Sequence, residues 1–266
     1  MSFVDLRYDL DGPVARITLD RPTARNAYSE AMVDGLVRAI DLAERDDGVR
    51  CIVLTGEGPA FSAGGDLKRM LQKEGMFAGG PADLRRRYVD GIQRIPRRLT
   101  LAEKPVVAAI NGPAIGAGLD LACMCDLRLA ARGAQFGSTF VKVGLVPGDG
   151  GAYFLARAVG FSRALELMLT GRLVDADEAE RIGLVHRVVA PDELLSAAHA
   201  LARELAALPA VAVRLTKRAA YRSYDLDVDA ALEVAAAYQG ISQNTADHRE
   251  AVAAMLERRP PRFTGE

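Results

Sequence analysis

The chain has 266 residues, of which 50% are hydrophobic and 26% are charged, and its 34 basic residues nearly balance its 35 acidic residues. This composition is typical of a folded, soluble protein and excludes a disordered one. The small net charge, the absence of tryptophan and the lack of a basic stripe exclude electrostatic recognition of nucleic acid or of an anionic membrane.

The N-terminal sequence "MSFVDLRYDLDG" is unlike a signal peptide, because it contains acidic residues and no apolar run behind a basic start. The most apolar region, residues 106–124, is interrupted by Asn111, Gly112, Pro113 and Asp120, which argues against a membrane span. We therefore expect a cytoplasmic protein.

The first half of the chain alternates between strands and helices. Residues 3–10 and 14–19 are predicted to form a hairpin around Asp11, Gly12 and Pro13, followed by a helix over 29–45 and the strand "CIVLTG". The strand "KPVVAAI", a turn of small residues, a short helix over 118–124 and the strand "DLRLAA" repeat the pattern. These ββα-like units predict an α/β core over residues 1–190.

Two further segments have a different character. Residues 72–87, rich in glycine and charge, predict a mobile loop that leads into a helix over 84–101. Residues 191–266 are alanine-rich and predict helices with start signals at Asp192, Asp227 and either Thr245 or Asp247. Such a helical region is a natural place for subunits to meet.

Several familiar kinds of site are absent from the sequence. No dinucleotide-binding glycine motif, P-loop or nucleophile elbow is present. Cys51, Cys123 and Cys125 lie in apolar runs without the spacing of a zinc site, so we expect reduced core residues and no metal. The three histidines, His186, His199 and His248, lie far from the glycine-rich turns, which favours structural or surface roles.

Two turns of small residues remain as candidates for chemistry, "PAFSAGGDL" (59–67) and "NGPAIGAGLDL" (111–121). Each precedes a predicted helix start, where free N–H groups carry partial positive charge. Two such turns facing each other would bind one oxygen anion from both sides. Tight packing of each turn against a sheet is the alternative.

At these turns the chain resembles the crotonase, or enoyl-CoA hydratase/isomerase, superfamily. The similarity extends through "LDRPTARNAYS", "VLTGEGPAFSAGGDLKRM", "KPVVAAINGPAIGAGLDLACMCDLRLAA", "VGLVPGDGGAYFLARAVG" and "REAVAAMLERRPPRF". The resemblance implies a spiral of ββα units, a C-terminal helical region that forms trimers or dimers of trimers, and an acyl-CoA thioester as substrate. Coenzyme A is then part of the substrate, and no separate cofactor is expected.

The resemblance also implies roles for individual residues. The backbone N–H groups of Ala63 and Ala117 would form an oxyanion hole for the thioester oxygen, which agrees with the interpretation of the two turns. The residues implied in substrate or CoA contact are Arg25, Ala27, Ala63, Gly65, Asp66, Leu67, Lys68, Gly116, Phe140 and Arg258. For Arg25, Lys68 and Arg258, a solvated surface charge is the alternative.

The acidic residues depart from the pattern of the hydratases, which carry glutamate at the positions of Asp120 and Phe140. Asp120 is therefore the predicted principal acid/base, and Asp149 in "VPGDGGAY" is a candidate second acid. Ring-opening isomerases of the superfamily carry aspartate one residue earlier in this turn, where this chain has Gly148. A helix N-cap is the alternative role for Asp149.

The sequence thus predicts hydration or isomerisation of an enoyl-CoA through an enolate. A dienoyl-CoA or ring-opening type of isomerase that uses Asp120 and Asp149 is one alternative. A non-catalytic acyl-CoA-binding protein, in which Phe140 marks lost chemistry, is the other.

Overall fold

The computed structural model describes residues 3–266, in which nine strands form two sheets. In chain order the strands are β1 (Leu6–Asp11), β2 (Val14–Leu19), β3 (Cys51–Gly56), β4 (Val106–Ile110), β5 (Ala114–Ile115), β6 (Leu127–Ala131), β7 (Gln135–Gly137), β8 (Val174–Asp175) and β9 (Arg187–Val189). The larger sheet has the order β1-β2-β3-β4-β6-β9 and is parallel except for the β1-β2 hairpin. The smaller sheet has the order β5-β7-β8.

Twelve α-helices accompany the strands in the described residues. They are α1 (Glu30–Arg45), α2 (Leu67–Gln72), α3 (Pro81–Arg87), α4 (Arg94–Thr100), α5 (Ala117–Met124), α6 (Gly151–Val159), α7 (Phe161–Thr170), α8 (Ala176–Arg181), α9 (Leu194–Ala206), α10 (Ala210–Ser223), α11 (Val228–Gln243) and α12 (Ala246–Glu257). The predicted α/β class is confirmed.

Most of the predicted elements occur where the sequence patterns indicate. The hairpin pairs Leu6 with Leu19, and Ser29 caps α1 by accepting the Met32 N–H at 3.0 Å. Asp227 and Thr245 cap α11 and α12 in the same way. Asp192 lies instead in a short 3-10 turn before α9.

The prediction of one continuous helix over 84–101 is wrong. A π-helical turn (Tyr88–Ile92) separates α3 from α4, and Gly91 within it adopts the non-helical angles φ −111° and ψ −105°. Glycine pays a large entropic cost in a helix, so it is a favourable place for the break. The preceding segment, predicted as a loop, contains a 3-10 turn (Gly75–Phe77) and α3 itself.

Helix α9 covers one face of the larger sheet. Its Leu194, Ala198 and Ala202 are buried in an apolar cluster with side chains of β2, β3, β4 and β6. The predicted boundary at residue 190 therefore separates α9 from the sheet on which it packs. Helices α10, α11 and α12 form the outer helical region. No residue of α11 is buried within the described chain.

The cysteines are core residues, and His186 and His199 have local partners. All three thiols are free and buried, and burial raises the pKa of each to about 12. His186 accepts a hydrogen bond from the Arg128 N–H at 3.1 Å, and His199 lies 3.1 Å from Asp11. No single helix of residues 3–266 is long and apolar enough to cross a membrane, although one sharply bent pair (Pro191–Ala206 with Ala210–Ser223) passes on combined length and composition.

Asp126 anchors the outer helices to the core. Its carboxylate lies 2.7 Å from Nζ of Lys217 and accepts hydrogen bonds from the Tyr221 hydroxyl at 2.8 Å and the Val106 N–H at 2.7 Å. The Lys217 side chain is only 8% exposed. Removal of the acid charge would leave the ammonium nearly buried without its partner.

We predict that Asp126→Asn lowers the free energy of unfolding by about 3 kcal/mol, because breaking a buried ion pair costs far more than breaking an exposed one. The matched control is Asp177→Asn, whose carboxylate is 77% exposed and 3.8 Å from Arg132. The control is expected to change stability by less than about 0.5 kcal/mol. Urea unfolding at one fixed protein concentration measures both, and equal changes would contradict the prediction.

Candidate active site

Two turns, one after β3 and one between β4 and α5, are joined through their backbones. Ser62 forms a parallel bridge with Ala114, in which the Ser62 N–H donates to Pro113 O at 3.1 Å and the Ile115 N–H donates to Ser62 O at 2.9 Å. A Cβ placed on Gly118 would lie 2.1 Å from Ser62 O. Glycine is therefore required at 118, and the predicted meeting of the two turns is confirmed.

The contact continues to the first residue of α5. Gly64 has φ +77°, and a Cβ placed there would lie 2.8 Å from the backbone nitrogen of Ala117. The left-handed conformation and the lack of space both favour glycine at this position. The backbone nitrogens that follow Gly64 and Gly116 are thus neighbours.

The implied role of Ala63 as an oxyanion donor is not supported. Its N–H donates to the carbonyl oxygen of Arg25 at 2.8 Å and is not free for a ligand. Arg25 reaches this position because it adopts φ +52° after a 3-10 turn (Pro22–Ala24). The Ala63 amide therefore holds the Arg25 segment against the turn.

The N–H groups of Gly65 and Ala117, by contrast, have no acceptor within residues 3–266. The carbonyl of each preceding residue is engaged: Gly64 O accepts from the Tyr28 N–H at 2.7 Å, and Gly116 O accepts from the Asp120 N–H at 3.1 Å. In a trans peptide the N–H points opposite to the C=O, so both N–H groups face away from these partners. Gly65 and Ala117 therefore offer one backbone donor from each turn.

Asp120 lies in the first turn of α5 and is completely buried. Neither of its carboxyl oxygens has a hydrogen bond of ordinary geometry within residues 3–266. A Cβ on Gly151, the first residue of α6, would lie 2.1 Å from one of those oxygens. Glycine at 151 therefore makes room for the carboxyl group of Asp120.

Asp149 lies beside Asp120 and is only 2% exposed. It does not cap α6, because the N-cap is Gly150 and no side chain makes a capping hydrogen bond there. Gln93 holds the turn by donating from Nε2 to Gly148 O at 2.8 Å. The N-cap interpretation of Asp149 is therefore wrong.

Tyr88 explains why an acid does not stand one residue earlier. A Cβ placed on Gly148 would lie 2.6 Å from the ring of Tyr88, so no side chain fits there unless the ring moves. The acid of this turn stands at position 149, where it lines an apolar depression together with Pro96, Leu101 and Phe154.

The two aspartates form an electrostatically linked pair. Burial raises the pKa of Asp120 well above its ordinary value, and the neighbouring Asp149 carboxylate raises it further. Burial also raises the pKa of Asp149, and its contact with Asp120 opposes that rise. The pair therefore holds a proton more readily than an isolated aspartate would.

Phe140 lies at the entrance to α5. Its ring would be 3.8 Å from a Cβ on Gly116, and the side chain is half-buried against the core. The site consequently presents an aromatic surface next to the peptide that carries the Ala117 N–H.

Residues on the predicted CoA wall have two kinds of environment. Ala27 is buried, and Asp66 caps α2 and pairs with Arg21 at 3.0 Å, so both stabilise the wall. Leu67, Lys68 and Arg25 are exposed. The Arg25 and Lys68 side chains have no carboxylate partner in the described chain.

Arg258 lies at the end of α12 and does not bond to this wall. It ends α12 with φ +54° and is exposed. Within residues 3–266 no hydrogen bond or ion pair joins its side chain to the wall.

The sequence patterns did not indicate three residues of the site. Tyr28, Tyr88 and Gln93 contact the turns or the acid pair only through the tertiary structure. The Gly64–Gly65 pair before the N-cap Asp66 did carry a local signal for a free donor, because residues around a helix start have N–H groups without intrahelical partners.

Comparisons with known proteins show the family of the chain. The family model described as Enoyl-CoA hydratase/isomerase matches residues 10–266. The chain is 38% identical to the short-chain-enoyl-CoA hydratase of Clostridium acetobutylicum, with 97% of each chain covered. It is also 38% identical to the 1,2-epoxyphenylacetyl-CoA isomerase of Escherichia coli, with 95% of each covered.

Solved structures show the same relationship. The crystal structure of an enoyl-CoA hydratase from Bacillus anthracis superposes with a TM-score of 0.92 at 32% identity, covering 99% of this chain and 100% of the other. A family match over nearly the whole length, relatives well above 30% identity and a shared fold lead to one conclusion: the chain belongs to the enoyl-CoA hydratase/isomerase family.

Proposed function

We propose that the protein converts an enoyl-CoA thioester through an enolate, as a hydratase or isomerase. The observation that carries this proposal is the placement of two free backbone N–H groups, at Gly65 and Ala117, near a buried pair of aspartates. A thioester oxygen between the two donors would place the adjacent carbons of the acyl group toward the acids.

The donors would stabilise the negative charge that develops on the thioester oxygen. Fixed backbone N–H groups need no reorganisation during the reaction, and one such donor is typically worth about 3 kcal/mol in the transition state. The start of α5 adds the partial positive charge of a helix N-terminus at the same place.

Asp120 and Asp149 would divide the proton transfers between them. Both pKa values are raised by burial, so one member of the pair keeps a proton more easily than an exposed aspartate would. We assign the acid role to Asp120, in the first turn of α5, and the base role to Asp149. Opposite protonation states in one pair are a common way to supply both functions at one pH. The burial of two acids without ordinary hydrogen bonds lowers stability, which favours an enzyme over a non-catalytic binding protein.

Arg25 and Lys68 are proposed to bind phosphates of CoA, because both are exposed cations without carboxylate partners in the described chain. Leu67 would pack on the same ligand, and Arg258 would join it from another subunit. The outer helices expose Leu232, Met255 and other apolar side chains, which supports a homotrimer or a dimer of trimers. We also propose that the protein is cytoplasmic and that CoA takes part only as a component of the substrate.

Of these two reactions, Phe140 favours isomerisation. An aromatic ring beside the oxyanion turn can neither hold water nor transfer a proton. For a 3-enoyl-CoA, Asp149 would remove a proton from C2, and the electron pair would move to the thioester oxygen. Asp120 would then donate its proton to C4 as the double bond shifts to C2=C3. Proton transfer between the two acids restores the starting state.

Isotope incorporation separates the two reactions. In water labelled with ¹⁸O, we expect 3-enoyl-CoA to give the 2-enoyl product without label faster than crotonyl-CoA gives the labelled 3-hydroxy product. Mass spectrometry of the CoA esters measures both rates. Faster formation of the labelled hydroxyl group would assign hydration as the principal reaction.

We predict that Ala117→Pro lowers kcat by about 100- to 1000-fold, because it removes one N–H donor to the oxyanion. Proline is tolerated at the first position of a helix, where Ala117 lies, so the fold should persist. Ala246→Pro is the matched control, since Ala246 is the exposed first residue of α12. Comparable losses in the two variants would argue against the donor role.

We predict that Asp120→Asn abolishes most turnover but raises stability at neutral and alkaline pH. The folded chain keeps a proton on Asp120 that the unfolded chain releases above about pH 4, so wild-type stability falls as pH rises from there toward the raised pKa. The asparagine variant lacks this loss, which reaches at most about 1.4 kcal/mol per pH unit. Urea unfolding at pH 5 and pH 8 should show a gain that increases with pH. A gain that shrinks with pH would refute the raised pKa.

A further inference from the structure

Tyr28 contacts both of the turns that supply the backbone donors. Its N–H donates to Gly64 O at 2.7 Å, and its phenolic hydroxyl donates to Ala117 O at 3.3 Å. The side chain is 1% exposed, so water does not compete for either contact. One residue therefore spans the gap between the turns on their protein side.

The first contact acts on the peptide that carries the Gly65 donor. Gly64 O and Gly65 N–H belong to one peptide unit, with the carbonyl bound to Tyr28 and the N–H free. A carbonyl that accepts a hydrogen bond polarises its peptide and makes the opposite N–H a stronger donor. The backbone of Tyr28 thus orients and strengthens one half of the oxyanion site.

The second contact acts on the start of α5. Ala117 supplies the other donor through its N–H, while its carbonyl is held by the Tyr28 hydroxyl. Asp120 follows within the same helical turn. A hydrogen bond at Ala117 O therefore fixes the first turn of α5 relative to Gly64.

Tyr28 is itself rigidly placed. Asn26 is fully buried, with Nδ2 donating to Glu57 O at 2.9 Å and to Ala60 O at 2.8 Å. Ser29 begins α1 on the other side. Burial raises the pKa of Tyr28 well above its ordinary value, and the neighbouring acid pair raises it further, so the phenol stays a neutral donor.

We propose that Tyr28 is a positioning residue that holds the two oxyanion turns in register through its hydroxyl, an inference that rests on the proposed enolate chemistry. It does not touch the reacting atoms. Its backbone N–H acts on the peptide unit of residues 64–65, and its hydroxyl acts on the unit of residues 117–118, which follows the Ala117 donor in α5.

The test is Tyr28→Phe, which keeps the ring and the backbone N–H and removes only the hydroxyl. A neutral hydrogen bond contributes about 1 kcal/mol, so kcat should fall about fivefold while KM changes less than twofold. The red shift in absorbance of bound 4-(dimethylamino)cinnamoyl-CoA, which reports polarisation of the thioester carbonyl, should also decrease. In an Ala117→Pro background the same substitution should lower kcat less than twofold, because the two changes affect one site.

Tyr221→Phe is the matched control, since it removes the part-buried hydroxyl of an α10 residue that donates to Asp126. It should lower stability and leave kcat and the red shift unchanged.

Wild-type kcat and red shift in Tyr28→Phe, or a raised KM with unchanged kcat, would overturn the inference. If the wild-type protein binds the probe with a red shift but turns over no ester, the proposed function is refuted. The change of that shift in Tyr28→Phe would still test the positioning role of Tyr28. Absence of probe binding by the wild type would overturn both the proposed function and the positioning role.

Discussion

The close backbone contact between the turns after β3 and β4 is the constraint on which the site depends. Gly118 lies so near Ser62 O that even a methyl group would clash, and the Ser62–Ala114 bridge fixes the register of the two segments. Because strands β3 and β4 are parallel neighbours, their carboxyl ends deliver both turns to the same edge of the sheet. Two backbone donors and the helix that carries Asp120 follow directly from this contact. The chemistry therefore rests on peptide groups whose positions are determined by packing.

Unfavourable features are concentrated around this contact. Arg25 and Asn26 are consecutive residues with positive φ, a conformation that costs energy for any residue with a side chain. Asp120 and Asp149 are buried without ordinary hydrogen bonds for three of their four carboxyl oxygens. Strain and buried acids persist only where the surrounding structure compensates, and here Asn26, Tyr28 and the glycines at 118 and 151 provide that support. Such a distribution is characteristic of a site in which stability is exchanged for reactivity.

Local sequence patterns predicted the elements and the two turns, because hydrophobic periodicity and small residues act over short distances. The same patterns placed one helix across Gly91, where the backbone breaks, and they grouped α9 with the outer helices although it packs on the sheet. Residue-by-residue resemblance indicated Ala63 as a donor, but only the tertiary structure shows that its N–H is bound to Arg25 O. Likewise, the choice between a cap and a buried acid at Asp149 depends on Tyr88 and Gln93, which lie about 60 residues away in sequence.

Enolate formation is the central claim, and solvent-deuterium exchange at the α-carbon measures it most directly. A panel of saturated and unsaturated CoA esters of different chain length, incubated with the wild-type protein in D₂O, reports carbanion formation whatever the final product. We predict enzyme-dependent deuterium incorporation at C2 of at least one ester, with loss of that exchange in Ala117→Pro. Binding of the esters without any exchange at C2 would contradict it.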